Sequence, residues 1–272
     1  MARFLKDTPF TINISDNYEN LCEKVTREIL SSSNEKITKQ NKFTLVLSGG
    51  STPKGIYHRM TSPFYREKFQ WEKMHFFLGD ERWVSPDDSR SNYRMVSESL
   101  FTKVKIPSGN IHVIQTRNCD LQTSALLFED EIVQFFKLKK DEVPNFDLVL
   151  LGLGQDGHIA SLFPKNSALS VKDRLAIAVS QDGITEQRIT LTFPVINHAN
   201  TVFLLASGYE KAKIVHEILE EKRNSLPANQ IKLGQGKLYW FLDKASASGL
   251  EKAATSLSVG ASPNVPKAER NT

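Results

Sequence analysis

The fold is decided by the stretch "FTLVLSGGSTPKGIY", residues 43–57. Its first five residues are apolar or β-branched throughout, which is typical of a strand covered on both faces. Two glycines follow, and Pro53 then lies where the first turn of a helix accepts proline. Ser51 or Thr52 is expected to cap that helix. The stretch predicts a buried strand, a glycine turn and a helix, the unit from which parallel α/β sheets are built.

The same alternation recurs on both sides of this stretch. Apolar residues at helical spacing occur at 21–29, 91–101, 121–136 and 210–221. Short apolar runs occur at 74–79, 110–114, 146–154, 174–179, 188–193, 201–208 and 237–243. This order predicts an α/β protein with a Rossmann-like three-layer α/β/α architecture and a mainly parallel sheet. We expect a single domain over residues 1–245, then an Ala- and Ser-rich tail over 246–272 that is partly disordered.

The composition narrows the class of protein. The 35 lysines and arginines against 31 acidic residues give a net charge of +4 and form no basic stripe, so no nucleic-acid partner is expected. Cys22 and Cys119 have no metal-ligand spacing and suggest neither a metal site nor a disulfide. The N-terminus lacks the apolar core of a secretory signal, and no apolar run approaches the ~20 residues of a membrane span. We therefore expect a cytoplasmic protein without a membrane partner, a monomer or alternatively a dimer.

Polar side chains follow several of the predicted strands. Ligands of an open parallel sheet bind beyond the carboxyl ends of its strands, so these positions are candidates for chemistry. In "SGGSTPKGIY", Gly49 and Gly50 let the backbone approach an anion at the start of a helix, where free N–H groups and the helix dipole favour negative charge. The segment is not a nucleotide P-loop, because no Gly-Lys-Ser/Thr follows at the required spacing. A plain strand-to-helix turn is the alternative.

A second junction is "GDERWVSPDDSRSNYR", residues 79–94, where Asp80, Glu81 and Arg82 follow directly on a buried strand. Unpaired charges are costly near a core, so these side chains must be exposed or mutually paired. A surface ion pair and a functional role fit the cluster equally well. The later "SNYR" adds polar side chains that could fold over a sugar.

The third junction is "LLGLGQDGHIASLFP", residues 150–164, which contains a literal G-x-G-x-x-G. A dinucleotide site belongs in the first βαβ unit and opens directly into a helix, whereas this strand is about the fourth and no helix start follows. Asp182 lies near the position of the acidic residue that such a site needs, so this alternative stays open. Asp156 and His158 within the glycine turn favour a chemical role over a structural histidine.

Two cations belong to later elements. Arg188 opens the strand "RITLT", and Lys211 follows the run 201–208 near the start of a helix. Either side chain could reach a phosphate. A solvent-exposed lysine is the ordinary alternative at position 211.

Five segments taken together, "SGGSTPKGIY", "FFLGDERWVSPDDSRSNYRM", "FDLVLLGLGQDGHIASLFP", "RITLT" and "YWFLD", resemble the 6-phosphogluconolactonases. The wider family includes the glucosamine-6-phosphate deaminases and shares an α/β fold. In the deaminases the histidine loop continues as Phe-Asn-Glu-Pro, whereas here Ser161, Leu162 and Phe163 precede Pro164, as in the lactonases. Ile159 stands where many lactonases carry threonine, a mild departure.

The resemblance implies hydrolysis of 6-phospho-D-glucono-1,5-lactone without metal or organic cofactor. It places Asp80, Arg82 and His158 in the active site, and at the substrate phosphate it places Gly49, Gly50, Ser51, Thr52, Arg188 and Lys211. His158 is then a suitable general base, since an imidazole has an unperturbed pKa of about 6.5. Asp156 or Asp80 would orient its ring, and backbone N–H groups in 154–157 or the guanidinium of Arg82 would meet the developing negative charge.

Two other functions remain as alternatives. One is a deaminase or isomerase of amino-sugar phosphates, and the other is a non-catalytic module that senses a phosphosugar. Sensors of this kind are usually joined to a DNA-binding segment. The first 40 residues offer one amphipathic helix without a helix-turn-helix pair, which argues against the sensor.

Overall fold

Seven parallel strands form the centre of the fold. The computed structural model describes residues 3–5, 8–181, 183, 185–221, 223 and 225–250. The strands are β1 (Arg3–Leu5), β2 (Thr8–Ser15), β3 (Phe43–Leu47), β4 (Met74–Leu78), β5 (Asp80–Arg82), β6 (Ile111–His112), β7 (Leu148–Gly152), β8 (Ala176–Val179), β9 (Arg188–Leu191), β10 (Thr201–Ala206) and β11 (Lys237–Asp243). The main sheet has the order β1-β2-β11-β10-β7-β3-β4-β6, and only β1 runs antiparallel to its neighbour.

The helices flank this sheet. They are α1 (Tyr18–Gln40), α2 (Ser51–Met60), α3 (Pro63–Arg66), α4 (Asn92–Ser99), α5 (Leu121–Phe136), α6 (Phe193–Asn197) and α7 (Ala212–Leu219). Helix α1 packs against β2, β3 and β11, and α2 packs against β7 and β10. All five side chains of β3 are buried, as the unbroken apolar run predicts. The predicted Rossmann-like α/β/α architecture with a mainly parallel sheet is confirmed.

A second, antiparallel sheet of order β5-β9-β8 lies at the carboxyl edge of the first. Only Gly79 separates β4 from β5, and its N–H donates to Leu47 O at 2.8 Å while its carbonyl accepts from Leu191 N at 2.9 Å. The apolar runs at 174–179 and 188–193 are therefore strands, as predicted, but they belong to this small sheet. As a result, β9 carries Arg188 towards the ends of the parallel strands.

The N-cap of α2 differs from the prediction. Gly50 is the N-cap, with φ of 100°, and no side chain caps the helix. Ser51 and Thr52 are instead its first helical residues, and Pro53 lies in the first turn as predicted. The expectation that Ser51 or Thr52 caps α2 is therefore wrong, because the glycine already takes the cap position in a backbone conformation that side chains disfavour.

The two ends of the chain extend the main sheet and its packing. Strand β2 pairs in parallel with β11, so the N-terminal segment completes the sheet. After β11, Ser246 is fully buried and donates to Ala206 O at 2.9 Å, and the described turn continues to residue 250. The rest of the predicted tail, 251–272, and Asp182 lie outside the described residues. No helix in the described part of the chain is long and apolar enough to cross a membrane.

Candidate active site

The site lies where the strand order reverses. Strands β3 and β7 are neighbours, and the chain proceeds from β3 to β4 and β6 on one side but from β7 to β10 and β11 on the other. Crevices at such a switch point bind ligands beyond the carboxyl ends of the strands. Ser48 joins the two ends here, because its Oγ accepts a hydrogen bond from Gly152 N at 3.1 Å. Ser48 is a residue to which the sequence alone assigned no role.

The turn after β3 presents backbone donors. The N–H groups of Gly49, Gly50, Ser51 and Thr52 donate to no acceptor among the residues that the structure describes. They lie at the N-terminus of α2, where the helix dipole adds partial positive charge. A Cβ at Gly49 would lie 2.0 Å from Asn92 Oδ1, so any side chain at this position would displace Asn92. The turn can therefore bind an anion such as a phosphate.

The turn after β7 carries the histidine. Gly154 N donates to His158 O at 2.9 Å, and Gly157 N donates to Gly154 O at 3.1 Å, which closes the loop on itself. A Cβ at Gly154 would lie 2.1 Å from His158 Nδ1. Gly154 of the G-x-G-x-x-G pattern thus makes room for the imidazole. A dinucleotide site requires a helix that starts directly after the glycine turn. No helix begins in this loop, which argues against a dinucleotide site here.

His158 forms a close pair with Asp156. His158 Nδ1 lies 2.5 Å from Asp156 Oδ1, and the same carboxylate oxygen accepts from His158 N at 3.1 Å. Burial alone would raise the pKa of Asp156, but the hydrogen bond and the charge of His158 outweigh it and hold the pKa below its ordinary value. The His158 side chain is 30% exposed, and its Nε2 contacts no partner in the described chain. One ring nitrogen is therefore anchored, and the other is open to a ligand or to water.

Asp80 occupies a different place. It is buried, and its carboxylate accepts from Ser161 Oγ at 2.6 Å and from Asn92 Nδ2 at 3.2 Å. Arg188 Nη1 lies 4.0 Å from Asp80 Oδ2. The sequence left Asp156 and Asp80 as alternatives for orienting the ring of His158. In the structure Asp156 contacts the imidazole, whereas Asp80 lies beside Arg188.

Arg188 is largely buried, with 14% of its side chain exposed. Its Nε has no hydrogen-bond partner among the described residues. Burial lowers the pKa of Arg188, against the opposing effect of the Asp80 charge, so the guanidinium is poorly solvated. A cation in such surroundings gains from an anionic ligand.

Arg82 is held against the turn after β3. Its Nη1 donates to Asn92 Oδ1 at 2.6 Å and to Arg90 O at 2.8 Å. Asn92 also donates to Asp80 O at 2.9 Å. Since Asn92 packs against Gly49, it links Arg82, Asp80 and the turn after β3. Sequence reasoning noted "SNYR" only as a polar segment.

Glu81, to which the sequence assigned no specific role, holds the start of α4. It is buried and accepts hydrogen bonds from Asn92 N and Tyr93 N, both at 2.7 Å, and from Ser91 Oγ at 2.9 Å. Burial raises the pKa of Glu81 even though these donors favour the carboxylate. The Asp80–Arg82 segment is thus neither an exposed nor a self-paired ion cluster. It is a buried strand whose three polar side chains each bond elsewhere.

Lys211 follows β10 next to the histidine loop. Strand β10 pairs with β7, and Leu153 N donates to Leu205 O at 3.2 Å, so both turns leave the sheet side by side. Gly208, three residues before Lys211, donates its N–H to Asp243 Oδ1 at 3.1 Å. Lys211 is half-buried and has no ion-pair partner in the described part of the chain. Its ammonium group is therefore available to a ligand.

A separate cleft on the surface does not coincide with this site. A cleft of about 670 Å³ is lined by Leu138, Asp141, Glu142, Val143, Pro194, Asn197 and His198. It contains none of the candidate residues and is an open groove between surface segments. The site is recognised instead by its convergent polar groups at the switch point. Among the described residues, no group of three or more His, Cys, Asp or Glu side chains is placed to hold a metal ion.

The fold and the site define a doubly wound α/β protein with a turn of free backbone donors and a His–Asp pair at the switch point. The chain belongs to the family of glucosamine-6-phosphate isomerases and 6-phosphogluconolactonases, whose model matches residues 16–240. The predicted family is therefore confirmed.

The similar proteins are mainly of one kind. The chain is 38% identical over 241 residues to a 6-phosphogluconolactonase of Synechocystis sp., covering 88% of this chain and 98% of the relative. The crystal structure of a 6-phosphogluconolactonase from Thermotoga maritima is 33% identical, with a TM-score of 0.75, and the match covers 86% of this chain and all, 100%, of that one. A monomeric glucosamine-6-phosphate deaminase, 21% identical with a TM-score of 0.73, shares the fold.

Proposed function

We propose that the protein hydrolyses 6-phospho-D-glucono-1,5-lactone to 6-phospho-D-gluconate, the second step of the oxidative pentose phosphate pathway. The observation that carries the proposal is the His158–Asp156 pair, whose free Nε2 lies at the same switch point as the donor-rich turn of Gly49–Thr52. Relatives named 6-phosphogluconolactonase that match most of the chain support the substrate.

His158 acts as the general base in this proposal. Its Nε2 takes a proton from water while the water oxygen attacks the lactone carbonyl carbon. Asp156 keeps the other ring proton on Nδ1 and stabilises the imidazolium that forms. The tetrahedral intermediate then collapses, the bond from the carbonyl carbon to the ring oxygen breaks, and the imidazolium returns its proton to that oxygen.

The developing oxyanion needs a donor. Within the histidine loop, the N–H groups of Gly154 and Gly157 already donate inside the turn, which leaves Gln155 N and Asp156 N without a backbone acceptor in the described chain. The alternative is Arg82, whose Nη1 is engaged while Nη2 and Nε donate to no acceptor in the described chain. Either group would stabilise negative charge that builds up during attack.

The phosphate binds at the other end of the cleft. The N–H groups of Gly49–Thr52 donate hydrogen bonds to its oxygens, and Arg188 and Lys211 supply positive charge. The phosphate is remote from the reacting carbon, so its binding helps catalysis only by positioning that carbon against His158. No metal or organic cofactor takes part in the proposed steps.

The experiment is a direct assay of hydrolysis. Freshly prepared phosphogluconolactone is incubated with the purified protein and a chelator, and acid release is followed against a blank without enzyme, because this lactone also opens spontaneously. We expect acid release far above the blank. Release at the blank rate, or ammonia release from glucosamine 6-phosphate, would contradict the proposal, and the latter would indicate the deaminase reaction.

A further inference from the structure

One aromatic ring contacts both functional side chains of the proposed site. The ring of Phe163 lies 4.7 Å from the imidazole of His158 between centroids, at an interplanar angle of 49°. The guanidinium carbon of Arg188 lies over the same ring, 5.5 Å from its centroid. The distance between the imidazole of His158 and the guanidinium carbon of Arg188 therefore cannot exceed the sum of these two distances.

The polar contacts of Arg188 within the described chain are weak. Its ion pair with Asp80 is long, at 4.0 Å, and its buried Nε has no partner in the described part of the chain. The face of Phe163 is a further group that contacts the guanidinium, and a cation over an aromatic face is stabilised more when it is desolvated.

His158 also needs a second contact. Asp156 anchors Nδ1 at 2.5 Å but is itself half exposed, and a single hydrogen bond does not fix the tilt of the ring. Packing against Phe163 supplies that constraint. The direction in which Nε2 points therefore depends on both Asp156 and Phe163.

The ring of Phe163 is itself rigidly placed. Its side chain is 2% exposed, and its neighbour Leu162 is fully buried and pairs with Ile159. Ser161 N donates to Thr190 Oγ1 at 3.1 Å and Ser161 Oγ to Asp80 Oδ2 at 2.6 Å, which ties the segment to β9 and β5. Phe163 is thus fixed to the small sheet that carries Arg188.

We propose that Phe163 is a positioning residue that sets the separation between the general base and the phosphate-binding cation. It makes the site selective for a lactone whose phosphate lies at one fixed distance from its carbonyl carbon. This inference rests on the proposed function. It adds that selectivity for the phosphorylated substrate depends on an apolar ring as well as on the cations.

The test is selectivity between two substrates, the phosphorylated lactone and 1,5-gluconolactone. Phe163→Leu keeps an apolar side chain but removes the flat ring. We expect kcat/KM for the phosphorylated lactone to fall roughly 100-fold and for gluconolactone about tenfold, so selectivity falls about tenfold. In an Arg188→Met background, Phe163→Leu should lower selectivity no further, because the contact is already lost.

Two further variants separate this role from packing. Phe43→Leu removes an equally buried ring at the amino end of β3, away from the site, and should leave selectivity unchanged. Phe163→Tyr retains the ring and should keep selectivity within about threefold of the parent. If Phe163→Leu does not fold, Phe163→Met replaces it, since thioether and ring have similar bulk but only the ring has a π face.

Selectivity of Phe163→Leu within threefold of the parent would overturn the inference, as would an equal loss in Phe43→Leu or in Phe163→Tyr. These outcomes are distinct from failure of the proposed function. A parent protein that does not hydrolyse the phosphorylated lactone contradicts that function, whereas an active parent with an unaffected Phe163→Leu variant contradicts only the role of Phe163.

Discussion

Two of the histidine–carboxylate pairs in the described part of the chain are joined through Nδ1, and they lie at different places in the fold. His158 Nδ1 lies 2.5 Å from Asp156, and His112 Nδ1 lies 2.8 Å from Glu131. The His112 side chain is only 8% exposed, against 30% for His158. Its Nε2 is bonded to His75 Nδ1 at 3.3 Å, and its ring stacks on Phe77 at 4.1 Å.

The difference shows which of the two pairs could act as the proposed base. Both ring nitrogens of His112 have partners, so it cannot take a proton from water without breaking a buried hydrogen bond. His158 has one anchored and one free nitrogen because its glycine loop lies beyond the sheet. A histidine beside a carboxylate is therefore not enough to mark a catalytic group. The histidine must also lie beyond a strand end, where one ring nitrogen stays free.

The largest effect is expected from His158→Gln. Loss of the general base should lower kcat by about 10² to 10⁴-fold with a modest change in KM. His75→Gln, in the other cluster, should leave kcat within threefold of the parent. Steady-state rates on the phosphorylated lactone measure both effects. A His158→Gln variant with nearly parental kcat would show that His158 is not the general base.

The second-largest effect is expected from Asp156→Asn, which should lower kcat roughly 100-fold. The amide no longer stabilises the imidazolium and can favour the wrong tautomer. Glu131→Gln makes the same change in the other pair and should leave kcat unaffected. Equal kcat for Asp156→Asn and Glu131→Gln would mean that the carboxylate beside His158 does not assist it.

Arg188→Met should act on KM instead. Losing a charge-assisted phosphate contact is expected to raise KM for the phosphorylated lactone roughly 10- to 100-fold, with little effect on 1,5-gluconolactone. Arg66→Met removes an exposed cation paired with Glu67 and serves as control. Comparison of KM for the two lactones tests this, and unchanged selectivity would place the phosphate elsewhere.

The smallest effect concerns stability rather than catalysis. Burial, with the nearby charges of His112 and Lys42, lowers the pKa of His75 from 6.5 to about 4. The unfolded chain binds a proton on His75 below about pH 6.5 and the folded chain does not, so the free energy of unfolding falls as the pH drops from 6.5 to 4. We expect a loss of about 1 to 2 kcal/mol, reduced because the ring is only half-buried.

Denaturant unfolding of the parent and of His75→Gln at pH 7, 5 and 4 measures this loss. The variant should lose less stability on acidification than the parent. Parallel losses in the two proteins would show that His75 does not contribute.

Much of the fold was predictable because its signals are local. The helix predicted over 121–136 is α5, and the unbroken apolar runs at 43–47 and 146–154 contain β3 and β7. Strand β2 was missed, although Phe10, Ile12 and Ile14 alternate with polar residues in the pattern of a half-buried strand. The partners of β8 and β9 could not be predicted, since an apolar run identifies a strand but not its neighbour.

The candidate site was also predictable in part from the sequence. The rule that ligands bind beyond strand ends identified the residues after β3 and β7. It could not decide between Asp156 and Asp80, because chain distance does not give the direction of a side chain. Ser48 and Asn92 were missed for the same reason: their importance comes from hydrogen bonds to residues far away in the sequence.

A crystal structure with 6-phosphogluconate bound would show directly whether the two turns form one catalytic cleft. We expect the phosphate on the N–H groups of Gly49–Thr52 beside Arg188, and the product carboxylate within about 3 Å of His158 Nε2. A product carboxylate that lies more than about 10 Å from that nitrogen, or a phosphate bound away from the turn after β3, would contradict the claim that the two turns form one catalytic cleft.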